Sequence, residues 1–155
     1  FERKMRRQEV DIKIYDTLPE EAVRIREAVF VEEQGFQDEF DEIDSYAKHL
    51  VLFDGEKSIA VCRFFQDKET GDFTVGRIAV LKEYRGQNIG TKVLKAAEEA
   101  IKNEKGSKIC LHAQLQAKDF YGKQGYLQYG DTDYEEFCPH IWMCKKLESC
   151  DSITA

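Results

Sequence analysis

A glycine-containing segment in the middle of the chain has the composition of an anion-binding loop. The segment Arg85–Thr91 (RGQNIGT) follows a run typical of a strand, Phe73–Leu81, and opens a run typical of a helix, Thr91–Asn103. The start of a helix leaves backbone N–H groups without internal partners and carries the positive end of the helix dipole, so a phosphate can bind there. The two glycines allow a close approach, and Asn88 tolerates a left-handed backbone. The segment therefore predicts a site for a phosphorylated cofactor.

Length, composition and charge are those of a folded globular chain. The 155 residues are 42% hydrophobic and 12% aromatic, which suits one domain with a proper core. The net charge of -7 argues against a general nucleic-acid or anionic-membrane surface, although Phe1–Arg7 is locally basic. No apolar run approaches the roughly 18 residues of a membrane span, and no signal-peptide pattern precedes Val10. We expect a cytoplasmic protein that binds neither nucleic acid nor membrane.

The cysteines indicate neither a metal site nor a disulfide framework. They form no C-x-x-C pair and have no nearby histidine at zinc-ligand spacing. Their odd number fits reduced thiols, and those within strand-like runs are expected to be small buried hydrophobic residues. The five are Cys62, Cys110, Cys138, Cys144 and Cys150.

Hydrophobic periodicity predicts ten elements in the order β-α-β-β-β-α-β-α-β-β. The predicted strands are Val10–Asp16, His49–Phe53, Ser58–Phe65, Phe73–Leu81, Lys108–Gln114, Leu127–Tyr134 and His140–Lys146. The predicted helices run from Leu18 to near Gly35, over Thr91–Asn103 and over Ala117–Gln124. Because a helical crossover joins the fourth and fifth strands, those two strands must be parallel, whereas the second to fourth form an antiparallel meander.

No linker or internal repeat divides the chain into parts. We therefore expect a single domain over residues 10–147, with residues 1–9 and 148–155 as flexible tails.

Several charged residues stand at positions where their surroundings decide their role. The acidic segment Phe36–Asp44 is expected to be a solvated loop, because runs of charge usually lie in water. Arg63 and Arg77 interrupt apolar strands, and we expect each of them to form an internal ion pair. If both arginines instead face a cleft, a substrate with a carboxylate or phosphate is favoured, whereas the acidic segment favours a cationic substrate.

The order of elements and two sequence motifs resemble the GNAT N-acetyltransferase superfamily over nearly the whole chain. The cofactor motif of that family, Q/R-x-x-G-x-G/A, is matched by Arg85, Asn88 and Gly90, with Asn88 in place of the middle glycine. A second block looks like the family's N-x-x-A-x-x-F-Y-x-x-x-G-F signature and reads Gln114-x-x-Ala117-x-x-Phe120-Tyr121-x-x-x-Gly125-Tyr126. The resemblance is to a bacterial branch whose acceptors are often unassigned.

The resemblance implies a fold and a donor substrate. The fold is an α/β (α+β) arrangement with a mixed, mostly antiparallel, twisted sheet of about seven strands flanked by helices. Its parallel strands 4 and 5 splay apart and expose backbone to the pantetheine arm of acetyl-CoA, with an N–H near Val80 as the oxyanion donor. No metal is implied. The residues expected to bind the donor are Ile78, Ala79, Val80, Arg85, Gly86, Gln87, Asn88, Ile89, Gly90, Thr91, Gln114, Phe120 and Tyr121.

The reaction implied by the resemblance is acetyl transfer to a primary amine, of a small molecule or a protein, by direct attack in a ternary complex. Tyr121 is the expected acid for the departing thiolate, since a phenol is protonated at neutral pH. The general base stays open between His112 and Glu33, with His140 as a further candidate. The residues expected on the acceptor side are Glu33, Arg63, Arg77 and His140.

Two other classes of function stay open. A set of residues also resembles the amino-terminal half of acyl-homoserine-lactone synthases, which share a GNAT-like core: Arg24, Val29, Phe30, Gly35, Phe36, Asp44 and Arg63. The second alternative is a non-catalytic acyl-CoA-binding domain, because no acidic residue lies in the fourth predicted strand. A homodimer is compatible with either reading.

Overall fold

The seven predicted strands form one sheet, in a computed structural model that describes residues 10–148. The strands are β1 (Val10–Tyr15), β2 (Lys48–Asp54), β3 (Lys57–Gln66), β4 (Phe73–Val80), β5 (Lys108–Gln114), β6 (Leu127–Glu135) and β7 (Cys138–Lys146). Their order across the sheet is β1-β2-β3-β4-β5-β7-β6, and all neighbours are antiparallel except β4 and β5. The predicted fold class is confirmed. Except for Glu148, the expected tails at 1–9 and 148–155 lie outside the described residues.

Three helices flank the sheet, and the first differs from its prediction. They are α1 (Glu20–Arg26), α2 (Ile89–Asn103) and α3 (Lys118–Lys123). The single helix predicted up to Gly35 is α-helical only in α1 and continues as a π-helix over Glu27–Glu33. The π-helix ends at Glu33, and Gly35, two residues further on, has a φ of 84°, a left-handed backbone that glycine adopts easily. The wider π-helical turns bring Glu33 to the edge of the anion-binding segment.

Helix α2 covers one face of the sheet with the apolar stripe that its sequence predicts. The side chains of that stripe are at most 1% exposed and pack against β2, β3 and β4; they are Ile89, Val93, Leu94, Ala97 and Ile101. Burial of five apolar side chains provides the main stabilisation of this helix, because isolated helices of 15 residues are marginal in water. The start of α2 is thereby fixed against the sheet next to β4.

The opposite face of the sheet carries a second, smaller core. Ala22, Ile25 and Val29 from the first helix pack there with Val51 and Val61 from β2 and β3. This packing covers the β1–β4 half of the sheet and leaves the β5–β7–β6 half of the same face open, where the side chains of Tyr129 and Leu127 are exposed.

The parallel strands β4 and β5 separate soon after they begin. Their backbones pair only where Phe73 faces Ile109 and where Thr74 faces Cys110. Beyond Thr74 the two strands diverge, so the rest of β4 borders a gap in the sheet rather than a neighbouring strand.

A bulge in β4 accompanies this divergence. On β3 only Cys62 lies between the partners of Ala79 and Gly76, whereas on β4 both Arg77 and Ile78 lie between those residues. Arg77 has a φ of 52°, which is unusual for a residue with a side chain. A bulge inserts one residue on one side of a ladder and bends the strand, and so it turns β4 away from β5.

Candidate active site

A cleft of about 520 Å³ lies where β4 and β5 separate. Its lining combines residues expected on the donor side with residues expected on the acceptor side, namely Ile78, Gln114, Tyr121, Arg77, His112 and His140. The two sets of predicted site residues, which are far apart in the sequence, therefore meet in one cavity.

The anion-binding segment has the backbone that its sequence predicts. Gly86 has a φ of 79° and Asn88, immediately before α2, has a φ of 62°, so both residues adopt the left-handed conformation. A Cβ atom at Gly90 would lie 3.4 Å from Phe120 Cζ and 4.0 Å from Val80 Cγ2. The aromatic ring of the second motif thus packs directly on the glycine of the first. The exposed start of α2 fits a pyrophosphate group, which needs free N–H donors and no obstructing side chain.

Arg85 and Glu33 form an ion pair at the edge of this segment. The guanidinium donates to both carboxylate oxygens of Glu33, with 2.8 Å between Nη2 and Oε1, and its Nε donates to the carbonyl of Val80 at 3.0 Å. The hydrogen bond from Arg85 is the main reason that the pKa of Glu33 is lowered. A carboxylate with a lowered pKa is a weak proton acceptor. Glu33 instead fixes the orientation of Arg85 beside the anion-binding segment.

Tyr121 lies in the wall of the cleft, within an aromatic cluster. Its ring packs edge-on against Phe120 and Tyr126, with centroid distances of 5.0 and 6.2 Å. Burial of the phenol is the main cause that raises the pKa of Tyr121, and the neighbouring Cys62 acts in the same direction. The phenol therefore keeps its proton throughout the neutral range.

His112 and His140 are brought together on the open face of the sheet. Their ring centroids are 4.7 Å apart, and the indole of Trp142 stacks on the other face of His112 at 4.6 Å. His112 is thus held between two rings. The residues lie on neighbouring strands, because His112 is opposite Trp142 and Gln114 is opposite His140 in the β5–β7 ladder.

Two carboxylates from β6, which sequence reasoning did not single out, contact these histidines. His112 Nε2 lies 2.6 Å from Asp133 Oδ1, and His112 Nδ1 lies 3.1 Å from Glu135 Oε1. The second oxygen of Glu135 lies 3.3 Å from His140 Nε2. The available signal was the two-residue spacing of Asp133 and Glu135 in the closing hairpin, which places both on one face of a strand that pairs with the strand of His140.

His140 is almost completely buried, and its orientation is fixed by the backbone. Its Nδ1 lies 2.9 Å from the carbonyl oxygen of Cys138, which can only accept, so Nδ1 carries a hydrogen. The side chain is 4% exposed and presents Nε2 to Glu135. The orientation of the ring leaves Nε2 as the atom that faces the cleft.

The expected ion pairs of Arg63 and Arg77 are confirmed. Arg63 Nη1 donates to Asp41 Oδ1 at 2.6 Å and to Asp44 Oδ1 at 2.9 Å. Arg77 lies 3.0 Å from a carboxylate oxygen of Glu39 and 3.5 Å from one of Asp41. Neither guanidinium is therefore available as a free cation for a substrate.

The expectation of a solvated acidic loop is wrong for part of the segment. Glu39 and Asp44 are only 4% and 7% exposed, because the buried guanidinium of Arg26 binds both of them. Burial opposes the ionisation of Asp44, but hydrogen bonds from Arg26 and Arg63 outweigh it and lower the pKa of Asp44 to about 2. The segment is a folded wall of the cleft, and Glu39 and Asp41 line that cleft.

Gln114 joins a chain of amide side chains on the same wall. Its Nε2 donates to Gln34 Oε1 at 2.8 Å, and its Oε1 accepts from Gln116 Nε2 at 2.8 Å. This chain links the end of the first helical segment to β5 across the cleft.

Within residues 10–148, no cluster of three or more histidine, cysteine, aspartate or glutamate side chains could hold a metal ion. Among the same residues, no helix has the length and apolar character that crossing a bilayer requires. Cys62 and Cys110 are buried, as expected, Cys144 is only partly so, and Cys150 lies outside the described residues.

The fold is that of many solved acyltransferases. A crystal structure of an N-acetyltransferase from Lactobacillus plantarum superimposes with a TM-score of 0.82 and 29% identity, covering 90% of this chain and 99% of that one. An acyl-CoA N-acyltransferase from Pseudomonas aeruginosa has the same fold, with a TM-score of 0.78, 23% identity, and coverage of 88% and 99% of the two chains.

The sequence relationship defines the family. The family model of the acetyltransferase (GNAT) domain matches residues 14–147. The uncharacterized N-acetyltransferase YjcF of Bacillus subtilis is 35% identical over 128 residues, which are 81% of this chain and 90% of that protein. This chain therefore belongs to the GNAT acetyltransferase family, and it is an acyltransferase.

Proposed function

We propose that this protein transfers an acetyl group from acetyl-CoA to a primary amine by direct attack in a ternary complex. The observation that carries the proposal is the gap between β4 and β5. The start of α2 lies beside Val80 at its edge, and the cleft in the gap is lined by histidine, tyrosine and carboxylate side chains. An enzyme of this type must hold a pyrophosphate at one end of a gap and deprotonate an amine at the other.

The donor is held mainly by backbone groups. The N–H groups from Gln87 to Thr91 bind the pyrophosphate at the start of α2, where the positive end of the helix dipole lies. The pantetheine arm lies along the unpaired part of β4, at Ile78, Ala79 and Val80, and an N–H near Val80 stabilises the oxyanion. Arg85 lies at the edge of the segment, where Glu33 pairs with its guanidinium and keeps it in place.

The chemistry needs a proton acceptor for the amine and a proton donor for the leaving sulfur. The nitrogen of the neutral amine attacks the thioester carbonyl carbon, the C–S bond breaks, and the thiolate takes a proton from the phenol of Tyr121. His112 is the proposed acceptor of the amine proton, because it lines the cleft. Both of its ring nitrogens contact carboxylates, so the amine must take the place of Asp133 or Glu135 at one nitrogen before it passes on its proton. Glu33 is the weaker candidate, because the pKa of that carboxyl is lowered by Arg85.

The test is an acetyl-transfer assay on the purified full chain. The protein is mixed with acetyl-CoA and a panel of primary amines, free thiol is measured, and the N-acetylated product is identified by mass. We expect thiol release that depends on both amine and enzyme. Calorimetric binding of acetyl-CoA without amine-dependent thiol release would instead favour a non-catalytic acyl-CoA-binding domain. In a parallel assay with longer acyl-CoA thioesters, transfer from these and not from acetyl-CoA would refute acetyl-CoA as the donor.

A further inference from the structure

The charged side chains on one wall of the cleft balance one another. Every member of this group contacts a partner of opposite sign, and the group contains equal numbers of both signs: Arg26, Arg63 and Arg77 against Glu39, Asp41 and Asp44. This wall therefore contributes structure and no net charge to the choice of acceptor.

The opposite wall carries two carboxylates, those of Asp133 and Glu135, that form no ion pair with an arginine among the described residues. Asp133 and Glu135 contact only imidazoles among the partners found for them in residues 10–148, and their side chains are 52% and 46% exposed. Glu136 and Asp38 also line the cleft. Backbone N–H groups of Gln37 and Asp38 hydrogen-bond the Glu136 carboxylate and lower its pKa, so it stays ionised. The acceptor end of the cleft is consequently anionic.

We propose that Asp133 and Glu135 are specificity-determining residues that select a small acceptor with a second cationic group, namely a diamine or polyamine. The inference rests on the acetyltransferase function proposed above. One nitrogen of such an acceptor is acetylated while the other, as an ammonium group, binds the β6 carboxylates. An acceptor with a carboxylate at the same place meets negative charge, since Arg63 and Arg77 are already paired.

The β6 carboxylates have acceptor positions for an ammonium group beyond those that contact the histidines. Each ionised carboxylate has two oxygens and about four acceptor positions. Asp133 uses Oδ1 toward His112, and each oxygen of Glu135 contacts one ring nitrogen, so acceptor positions are left over. About half of each side chain is open to solvent, which gives an incoming amine access from the mouth of the cleft.

The first experiment compares three amines that differ only in their distal group. These are 1,4-diaminobutane, pentylamine and 5-aminopentanoate, which carry an ammonium, a methyl group and a carboxylate at the same distance from the reacting nitrogen. We expect kcat/KM for the diamine to exceed that for pentylamine by about tenfold, with the aminopentanoate slowest, since half-exposed charge pairs have modest strength. Equal values for the diamine and pentylamine would overturn the proposal.

The second experiment removes each charge. Asp133→Asn and Glu135→Gln should each lower the diamine-to-pentylamine ratio of kcat/KM about threefold to tenfold. The matched control is Asp131→Asn, which makes the same charge change on β6 at an exposed position outside the cleft and should leave the ratio unchanged. If both substrates lose activity equally, the carboxylates only position His112 and the specificity role is refuted.

The outcomes also separate this proposal from the one on which it rests. Acetylation of pentylamine or of a lysine-containing peptide, without preference for the diamine, refutes the acceptor class and leaves the acetyltransferase intact. Absence of acetylated product with every amine, although acetyl-CoA binds, refutes the proposed function itself.

Discussion

The substitution Arg26→Met removes the cation that holds two buried carboxylates in the wall of the cleft. Arg26 is 1% exposed and donates to Glu39 Oε2 at 2.9 Å and to both oxygens of Asp44 at 2.7 and 3.1 Å. It also donates to the carbonyl of Glu39 at 3.1 Å. Methionine fills a similar volume, so the charge and the four hydrogen bonds are the principal loss.

The expected cost is large because both partners are buried. Removing one member of a buried ion pair leaves an uncompensated charge and destabilises a protein by about 3–5 kcal/mol. Arg63 still binds Asp44, and Arg77 still binds Glu39, which places the expected loss near the lower end, about 3 kcal/mol.

Urea unfolding at pH 7 measures this loss directly. Trp142 is the sole tryptophan of the chain and lies in the sheet, so its fluorescence reports the loss of tertiary structure. The matched control is Arg24→Met, which removes the same charge from an exposed position on the same helix and should cost less than about 0.5 kcal/mol.

The loss of unfolding free energy caused by Arg26→Met should depend on pH. In the native protein the pKa of Asp44 is lowered to about 2 from an ordinary 3.8, so its contribution is complete above pH 3.8 and is lost as the pH falls towards 2. Without Arg26, burial raises the pKa values of Asp44 and Glu39, and the variant can relieve its buried charge by taking up protons. The difference in unfolding free energy between the native protein and Arg26→Met should therefore shrink from pH 7 to pH 4.

Two results would contradict this reasoning. A loss below about 1 kcal/mol, no greater than that of Arg24→Met, would show that the buried carboxylates do not depend on Arg26. A loss of the expected size that does not change between pH 7 and pH 4 would show that its cause is packing rather than charge.

Three further substitutions test the donor side. Tyr121→Phe should lower turnover at least about tenfold while calorimetry shows little change in acetyl-CoA affinity, and unchanged turnover would remove this residue as the acid. Gly90→Glu should weaken acetyl-CoA binding, because it adds bulk and negative charge where the pyrophosphate is proposed to bind. The control Gly90→Ala adds only an ordinary contact with Phe120. Equal acetyl-CoA affinities for the two variants would refute the pyrophosphate site at the anion-binding segment. Asn88→Val should cost about 1–2 kcal/mol of unfolding free energy in urea because its φ is 62°, and Asn88→Gly should not; a valine variant as stable as the glycine variant would show no such strain.

The parts of the site that depend on residues close together in the sequence were predictable. The left-handed Asn88 and the apolar stripe of α2 follow from local backbone preference and helical period, and both are observed. The crossover between β4 and β5 was predictable for the same reason, because a helix between two strands fixes their parallel direction.

The parts that depend on sheet order were not predictable. Asp133 and Glu135 reach His112 only because β7 lies between β5 and β6 and puts all three on one face, which the sequence of β6 alone does not indicate. The burial of Glu39 and Asp44 likewise requires guanidinium groups from distant elements. The acidic segment therefore packs as a wall of the cleft, although such segments usually lie in water.

For strand β1 the sequence predicts the strand but not the exposure of its apolar face. Ile12 and Ile14 lie on its apolar face beside Leu52 and Leu50, yet they are 36% and 45% exposed. The alternation correctly predicts a strand, but β1 is at the edge of the sheet, where α2 contributes no substantial cover. Period-two patterning determines which side chains share a face and says nothing about whether an element covers that face.

The short pairing of β4 with β5 divides the sheet into two panels. Among the described residues, one panel has the four strands β1 to β4, the other has β5, β7 and β6, and two residue pairs connect their backbones. A molecule that fills the gap and contacts both panels substitutes for the missing ladder. Its binding then stabilises the whole fold, by about 2.7 kcal/mol at one hundred times its Kd, so resistance of the chain to heat becomes a readout of the supply of its donor substrate.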